Sequence, residues 1–247
     1  MDLPELLDRA VSLLYPQRCF KCGDVCEYDD FFCPGCPAKA LCGISLAFEN
    51  PLSGIVALYP YKGYRRKLVW EIKSGRQKRV YRLFGYQFRE AIEEHFPGVV
   101  FDMIVPVPAS STREFNHAER LVEPLSAITQ IPIYPGTLTR AKDSERQQSL
   151  GLKAREENAR LSYKIGRPDV VSGRTILLVD DLITTGYTIS ACAKQLILAG
   201  ASRVYALSSG YTPLPKPSTE SGGYKALLYN THRQDINIIS SNKKEKL

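Results

Sequence analysis

No stretch of this 247-residue chain approaches the roughly 18 uninterrupted apolar residues that a membrane-spanning helix needs, so no membrane span is expected. The start, Met1-Asp2-Leu3-Pro4-Glu5, lacks the basic residues and long apolar middle of a secretory signal, which makes the cytoplasm the expected compartment. Internal repeats are missing as well. What is present is ordinary for a soluble protein: 44% hydrophobic and 24% charged residues, enough for one ample domain with a small attachment, so disorder throughout is excluded.

Aliphatic residues are scarce between positions 19 and 42, yet six of the seven cysteines lie there. Such a segment has no core of its own and needs a metal or a host surface. Cys19-Phe-Lys-Cys22 and Cys33-Pro-Gly-Cys36 form two CxxC pairs. Each pair can set its sulfurs about 3.5–4 Å apart, the edge of a zinc tetrahedron with Zn–S of about 2.3 Å. Cys19, Cys22, Cys33 and Cys36 are therefore the expected ligands of a structural zinc, with Cys26 and Cys42 as alternative ligands and metal-free redox or buried cysteines as the competing reading. Gly23 and Gly35 are expected to allow the tight turns, and Cys192 reads as core. Net charge is +7 with pI near 9.0. A zinc tetrathiolate would bring the balance to about +5, a moderate basicity that hints at phosphate-bearing partners.

Leu3, Leu6, Leu7, Ala10, Val11 and Leu14 fall at helical spacing, which predicts an amphipathic helix over 1–16 packed on the rest of the protein. A zinc ribbon over 17–45 follows, then a main domain over 53–212, then a largely mobile tail over 213–247 with one docked segment near Ile236, Ile238 and Ile239. Within the main domain, strands are expected near 55–59, 102–107, 174–179 and 202–207. They alternate with helices over 116–129, which Pro124 must kink or interrupt, and over 187–199. The pattern implies an α/β fold with a largely parallel sheet.

The sequence Ile176-Leu-Leu-Val-Asp180-Asp181-Leu-Ile-Thr184-Thr185-Gly186-Tyr187-Thr188 places two acids at the carboxyl end of a buried strand, where open α/β sheets bind ligands. Asp180 and Asp181 can accept hydrogen bonds from a vicinal diol. The hydroxyls and amides from Thr184 to Thr188 lead into a helix N-terminus that suits a phosphate, so a ribose 5-phosphate fits both halves. A solvated turn with helix capping is the plainer alternative.

This segment also resembles the phosphoribosyl pyrophosphate signature of type I phosphoribosyltransferases. The resemblance implies that Asp180 and Asp181 hold the ribose hydroxyls, that Thr184, Thr185, Gly186, Tyr187 and Thr188 wrap the 5′-phosphate, and that Mg²⁺ bridges pyrophosphate and ribose. Thr184 stands where many purine-salvage members carry an acid. With the cysteine pairs, Val105-Pro-Val-Pro108, Arg113-Glu-Phe-Asn-His117 and the string Arg140, Gln147, Leu150, Arg155, Asn158, the chain resembles the ComF family, which joins an N-terminal zinc module to a phosphoribosyltransferase-like domain and is linked to uptake of transforming DNA. Glu114 and His117 depart from that family's Gly and Gln. The resemblance implies a type I phosphoribosyltransferase-like sheet with helices on both faces, pyrophosphate contacts from Arg113, Lys73 and Arg140, and DNA-uptake or recombination proteins as partners.

Between positions 62 and 82 stand nine Lys or Arg residues against one acid, Glu71, with Tyr61, Tyr64, Trp70 and Tyr81 interleaved. Single-strand binders use this mixture, cations tracking the backbone while rings stack on bases. Arg65, Arg66, Lys67 and Trp70 are the candidates for contact with single-stranded DNA. The alternative is a solvated helix whose Trp70 and Ile72 belong to the core. Two functions follow: a DNA-uptake factor that binds phosphoribosyl pyrophosphate, or a phosphoribosyltransferase of nucleotide metabolism without a DNA role.

Overall fold

The computed structural model describes residues 11, 14, 16–27, 30–36, 44–46, 51–74, 78–109, 116–141, 162–212 and 226–227. Arg113, Cys42, Gln147, Leu150, Arg155, Asn158 and the segment near 236–239 lie outside them.

Strand β6 (Thr175–Ile183) carries apolar residues at both parities because both of its faces are covered. Leu177 and Val179 pack into one core cluster, Ile176 and Leu178 into another. Its parallel neighbours are β3 (Met103–Pro106) on one side and β7 (Arg203–Tyr211) on the other, and β7 pairs in parallel with β2 (Gly54–Pro60). Two antiparallel additions, β1 (Ile44–Leu46) and β8 (Ala226–Leu227), give the order β3-β6-β7-β2-β1-β8. The sheet thus takes in residues ahead of position 53 and, at 226–227, a piece of the tail.

Helices α1 (Gly63–Ser74), α2 (Lys78–His95) and α3 (His117–Thr129) cover the first face. The basic stretch is therefore two helices, each folded by an apolar stripe: Leu68, Val69 and Ile72 on α1, and Val80, Tyr81, Phe84 and Phe88 on α2. Asn116 caps α3, its Oδ1 accepting from the Ala118 amide at 3.1 Å. Of the kink or interruption expected at Pro124, the interruption does not occur, since α3 runs through it. Its ring lies against Gly85 of α2, where a Cβ would come within 3.0 Å of the Pro124 Cβ, so the proline is used as a packing surface.

Helix α4 (Tyr187–Leu198) and a hairpin of β4 (Leu138–Arg140) with β5 (Tyr163–Ile165) cover the second face. The fold is the α/β arrangement anticipated, a central parallel sheet with helices on both faces and a cysteine cluster at the N-terminal side. Of the helix expected over 1–16 only Val11, Leu14 and Pro16 are described; Val11 and Leu14 are helical and are 55% and 79% exposed. Among the described residues no helix is long and apolar enough to cross a membrane.

Candidate ribose-phosphate site and cysteine centre

The ligand atoms of Cys19, Cys22, Cys33 and Cys36 all lie within 4.8 Å of one another, and Cys22 Sγ is 3.5 Å from Cys33 Sγ. This is the spacing a zinc tetrahedron requires, so the four residues fit a closed, structural site. Two backbone knuckles build it. The Gly23 amide donates to the Cys19 carbonyl at 3.0 Å, and the Cys36 amide to the Cys33 carbonyl at 2.8 Å. Gly23, at φ 85°, needs its glycine; Gly35 has no positive φ and open space where a Cβ would stand, so the turn role expected of it is not required. Burial opposes ionisation of Cys19, but backbone donors at Cys22, Cys33 and Lys21 outweigh it and hold the thiol down to about 6. Cys26 is buried against Cys19 and Cys33 without joining the four-sulfur set.

The cysteine module is fastened to the main domain by aromatic rings and guanidinium groups. Phe20 enters the first core cluster, with Phe31 and Phe32 packed beside it. Arg79 lies 5.2 Å from the Phe20 ring centre and 5.7 Å from that of Phe31, and Arg82 lies 5.6 Å from Phe31. Arg79 also donates to the Asp30 carbonyl. Two cations of the basic stretch thus hold the seam. Arg65 is half-buried, 5.5 Å from the Tyr59 ring centre and 5.7 Å from that of Tyr64. Arg66, Lys67 and Trp70 share an exposed face of α1, Trp70 at 47% exposure, while Ile72 is core. The reading that sent Trp70 to the core with Ile72 therefore fails for Trp70. Lys21 of the cysteine module stands 5.8 Å from the Tyr64 ring centre, at the edge of that face.

At the other site, β6 does not stop before the acids. It runs on to Ile183, so the side chains of Asp180 and Asp181 leave the strand on opposite faces of the sheet, while their carboxyl groups hydrogen-bond each other. Asp180 is on the α4 side and is half-buried. Burial, with Asp181 adding to it, pushes its carboxyl well above the ordinary range, and Lys73 at the end of α1 works against that rise. Asp181 is 9% exposed. Its amide donates to Asp180 Oδ1 at 2.8 Å, and its carbonyl accepts from the buried Ser209 hydroxyl of β7.

Beyond β6, Thr184, Thr185 and Thr188 are exposed around a buried Gly186. Gly186 is the N-cap of α4, at φ 78°, and offers no side chain to the first amides of the helix. Those donors therefore face outward, an arrangement that receives an anion. Arg140, at the end of β4, lies 5.8 Å from the Tyr163 ring centre, and its charge reaches Cys192 beneath the loop. Tyr163 is held up by burial and hydrogen-bonds Thr188. The structure therefore brings Asp180, Lys73, Arg140 and the hydroxyl loop to one end of β6, while His117 is the first residue of α3. Sequence reasoning missed Tyr163 and Ser209. The rule that ligands sit at the carboxyl ends of parallel strands would have drawn attention to Ser209.

The parallel sheet, the acid pair on β6 and the hydroxyl loop opening α4 define an open α/β domain with an attached four-cysteine module. No protein-family model matches the chain. It is 27% identical over 202 residues to the DNA utilization protein YhgH of Escherichia coli K12, covering 75% of this chain and 86% of that protein. Competence protein F of Haemophilus influenzae is 30% identical over 108 residues, 42% of this chain and 47% of its own length. The chain is thus similar in sequence to proteins named for DNA utilization and for competence. Among solved structures, adenine phosphoribosyltransferase of Saccharomyces cerevisiae aligns at 15% identity and TM-score 0.41, over 59% of this chain and 89% of that one. A glutamine phosphoribosylpyrophosphate amidotransferase of Bacillus subtilis aligns at 26% identity and TM-score 0.36, over 53% of this chain and only 26% of the longer enzyme.

Proposed function

We propose that the chain binds phosphoribosyl pyrophosphate, or a related ribose phosphate, with Mg²⁺ at the carboxyl end of β6, and that it serves DNA utilization by handling single-stranded DNA on the exposed face of α1. One observation carries the first half: β6 delivers Asp180 and Asp181 directly into an exposed hydroxyl loop whose following helix has no side-chain cap. The loop and the first amides of α4 receive the 5′-phosphate, and Lys73 and Arg140 add positive charge near the pyrophosphate. Arg113 extends that charge on the ComF resemblance alone. Mg²⁺ bound with the ligand would neutralise pyrophosphate charge, while Asp180 and Asp181 accept from the ribose hydroxyls. Asp180 must then release its proton, so Mg²⁺-dependent affinity rises with pH. The four-cysteine module holds zinc as a structural ion.

The exposed Trp70, with Arg66 and Lys67 on the same helix face, supports the DNA half. The relatives named for DNA utilization and competence agree with it. Calorimetric titration of phosphoribosyl pyrophosphate into the zinc-loaded protein tests the ribose half. Binding should require Mg²⁺ and disappear in a folded Asp180→Asn, Asp181→Asn variant; wild-type protein that does not bind contradicts the reading. Because Trp70 is the single tryptophan of the chain, its fluorescence should report titration with oligo-dT, with an affinity that falls steeply with salt. Pyrophosphate release that depends on one particular base would instead make the protein a phosphoribosyltransferase of nucleotide metabolism.

A further inference from the structure

The first face of the sheet carries a polar cluster that neither the zinc centre nor the hydroxyl loop uses. The Tyr81 hydroxyl of α2, buried, donates to the Ile72 carbonyl of α1 at 2.8 Å. Ile72 lies in the last turn of α1, whose carbonyls have no partner within the helix. Side chains supply them: Ser74 Oγ donates to the Glu71 carbonyl at 2.9 Å, and Tyr81 takes the next one. Lys73, the residue after Ile72, is the cation whose charge reaches Asp180. Tyr81 therefore fixes the turn that presents Lys73.

The same phenol meets two further parts of the site. Arg120 of α3 stands 6.0 Å from the Tyr81 ring centre and hydrogen-bonds its oxygen. The charge of Asp181, on this face of β6, also bears on Tyr81. Burial pushes the phenol up, so it remains a donor over the whole physiological range. Arg120, on a helix that covers the same face of the sheet, adds a cation to this cluster. Arg120 lies one turn from the start of α3, directly after the segment that holds Arg113. One phenol and one guanidinium thus join the end of α1 to the start of α3, on the side of the sheet to which β6 turns Asp181.

We infer that Tyr81 and Arg120 are positioning residues of the ribose-phosphate site, which hold the Lys73 turn and the Asp181 strand end in register for the ligand. The inference rests on the ribose-phosphate reading above. It predicts that binding weakens without loss of the fold when the phenol's hydrogen bond alone is removed. The test is calorimetric titration of phosphoribosyl pyrophosphate with Mg²⁺ into zinc-loaded wild type, Tyr81→Phe, Arg120→Gln and Arg120→Lys, with urea unfolding and oligo-dT affinity measured on each.

Tyr81→Phe should bind about tenfold more weakly, the loss of one buried hydrogen bond expressed as affinity. Arg120→Gln should lose more, and Arg120→Lys should recover part of that loss because the charge returns. Oligo-dT affinity should stay at the wild-type level in all three. If wild type binds and Tyr81→Phe and Arg120→Gln bind equally well, the positioning role is wrong while the site stands. A parallel fall in oligo-dT affinity, or no recovery with lysine, would show a general structural role instead and overturn the inference. If wild type does not bind, the ribose-phosphate reading itself falls, and this role falls with it.

Discussion

The four-cysteine module and the parallel sheet reach definite geometry by opposite means. Around Cys19 and Cys33 the buried residues are sulfur-bearing or aromatic, and the aromatic ones face the neighbouring domain. In the sheet, Val56, Leu58, Ile104, Leu177, Leu178 and Val179 are buried within a core that excludes water without help. A region that relies on coordination collapses when its ion leaves, whereas a region that relies on burial loses stability in proportion to the atoms removed. The seam between them, Arg79 and Arg82 over Phe20 and Phe31, is where the two strategies meet.

Removing the metal should break the comparison most strongly. Structural zinc contributes on the order of 10–16 kcal/mol of apparent binding energy to small cysteine sites. Chelation, or Cys33→Ser, should therefore unfold residues 17–36 and open them to protease, while the sheet keeps its own cooperative transition. A single transition lost on chelation would show that the two regions fold as one. In the sheet, Phe88→Ala, at a fully buried position, should cost about 3–5 kcal/mol in urea unfolding and leave the zinc content unchanged.

At the seam, Arg79→Ala removes a cation from two rings and a donor from Asp30. About 1–2 kcal/mol is expected, read as earlier protease cleavage of the module with little change in the sheet's midpoint. The smallest effect should come from the site. The Asp180 carboxyl is raised in the folded protein, chiefly by burial, so the native state keeps a proton that the unfolded chain has released. Its contribution is intact below the unfolded value of about 3.9 and is lost as pH rises through the raised folded value. Asp180→Asn should thus gain in melting temperature over wild type as pH increases from 5 to 8. A difference that does not change with pH would contradict this placement.

How much was legible in the sequence follows the same division. Cysteine spacing specified the four-sulfur cluster because such a ligand set is local in the chain, and the four residues expected are the four that meet. The apolar run ending in two acids specified β6 and its loop for a similar reason, since a doubly buried strand needs an uninterrupted run. That the side chains of Asp180 and Asp181 leave β6 on opposite faces was not legible, because it depends on where strand pairing stops, and β6 pairs with β7 as far as Ile183. Tyr81 and Arg120 were hidden for another reason: they meet each other and the Ile72 carbonyl only when α1, α2 and α3 pack. Composition alone grouped Tyr81 with the aromatics of the basic stretch, but the helical stripe of α2 turns it inward.

The central claim is that the loop after β6 holds the 5′-phosphate of a ribose phosphate. ³¹P resonances of phosphoribosyl pyrophosphate, followed as zinc-loaded protein is added in Mg²⁺, test it directly. The 5′-phosphate signal should shift with wild type and stay in place with a Thr184→Ala, Thr185→Ala, Thr188→Ala variant whose melting is unchanged. A 5′-phosphate signal that does not move with wild-type protein, or that moves equally with the variant, would contradict the account.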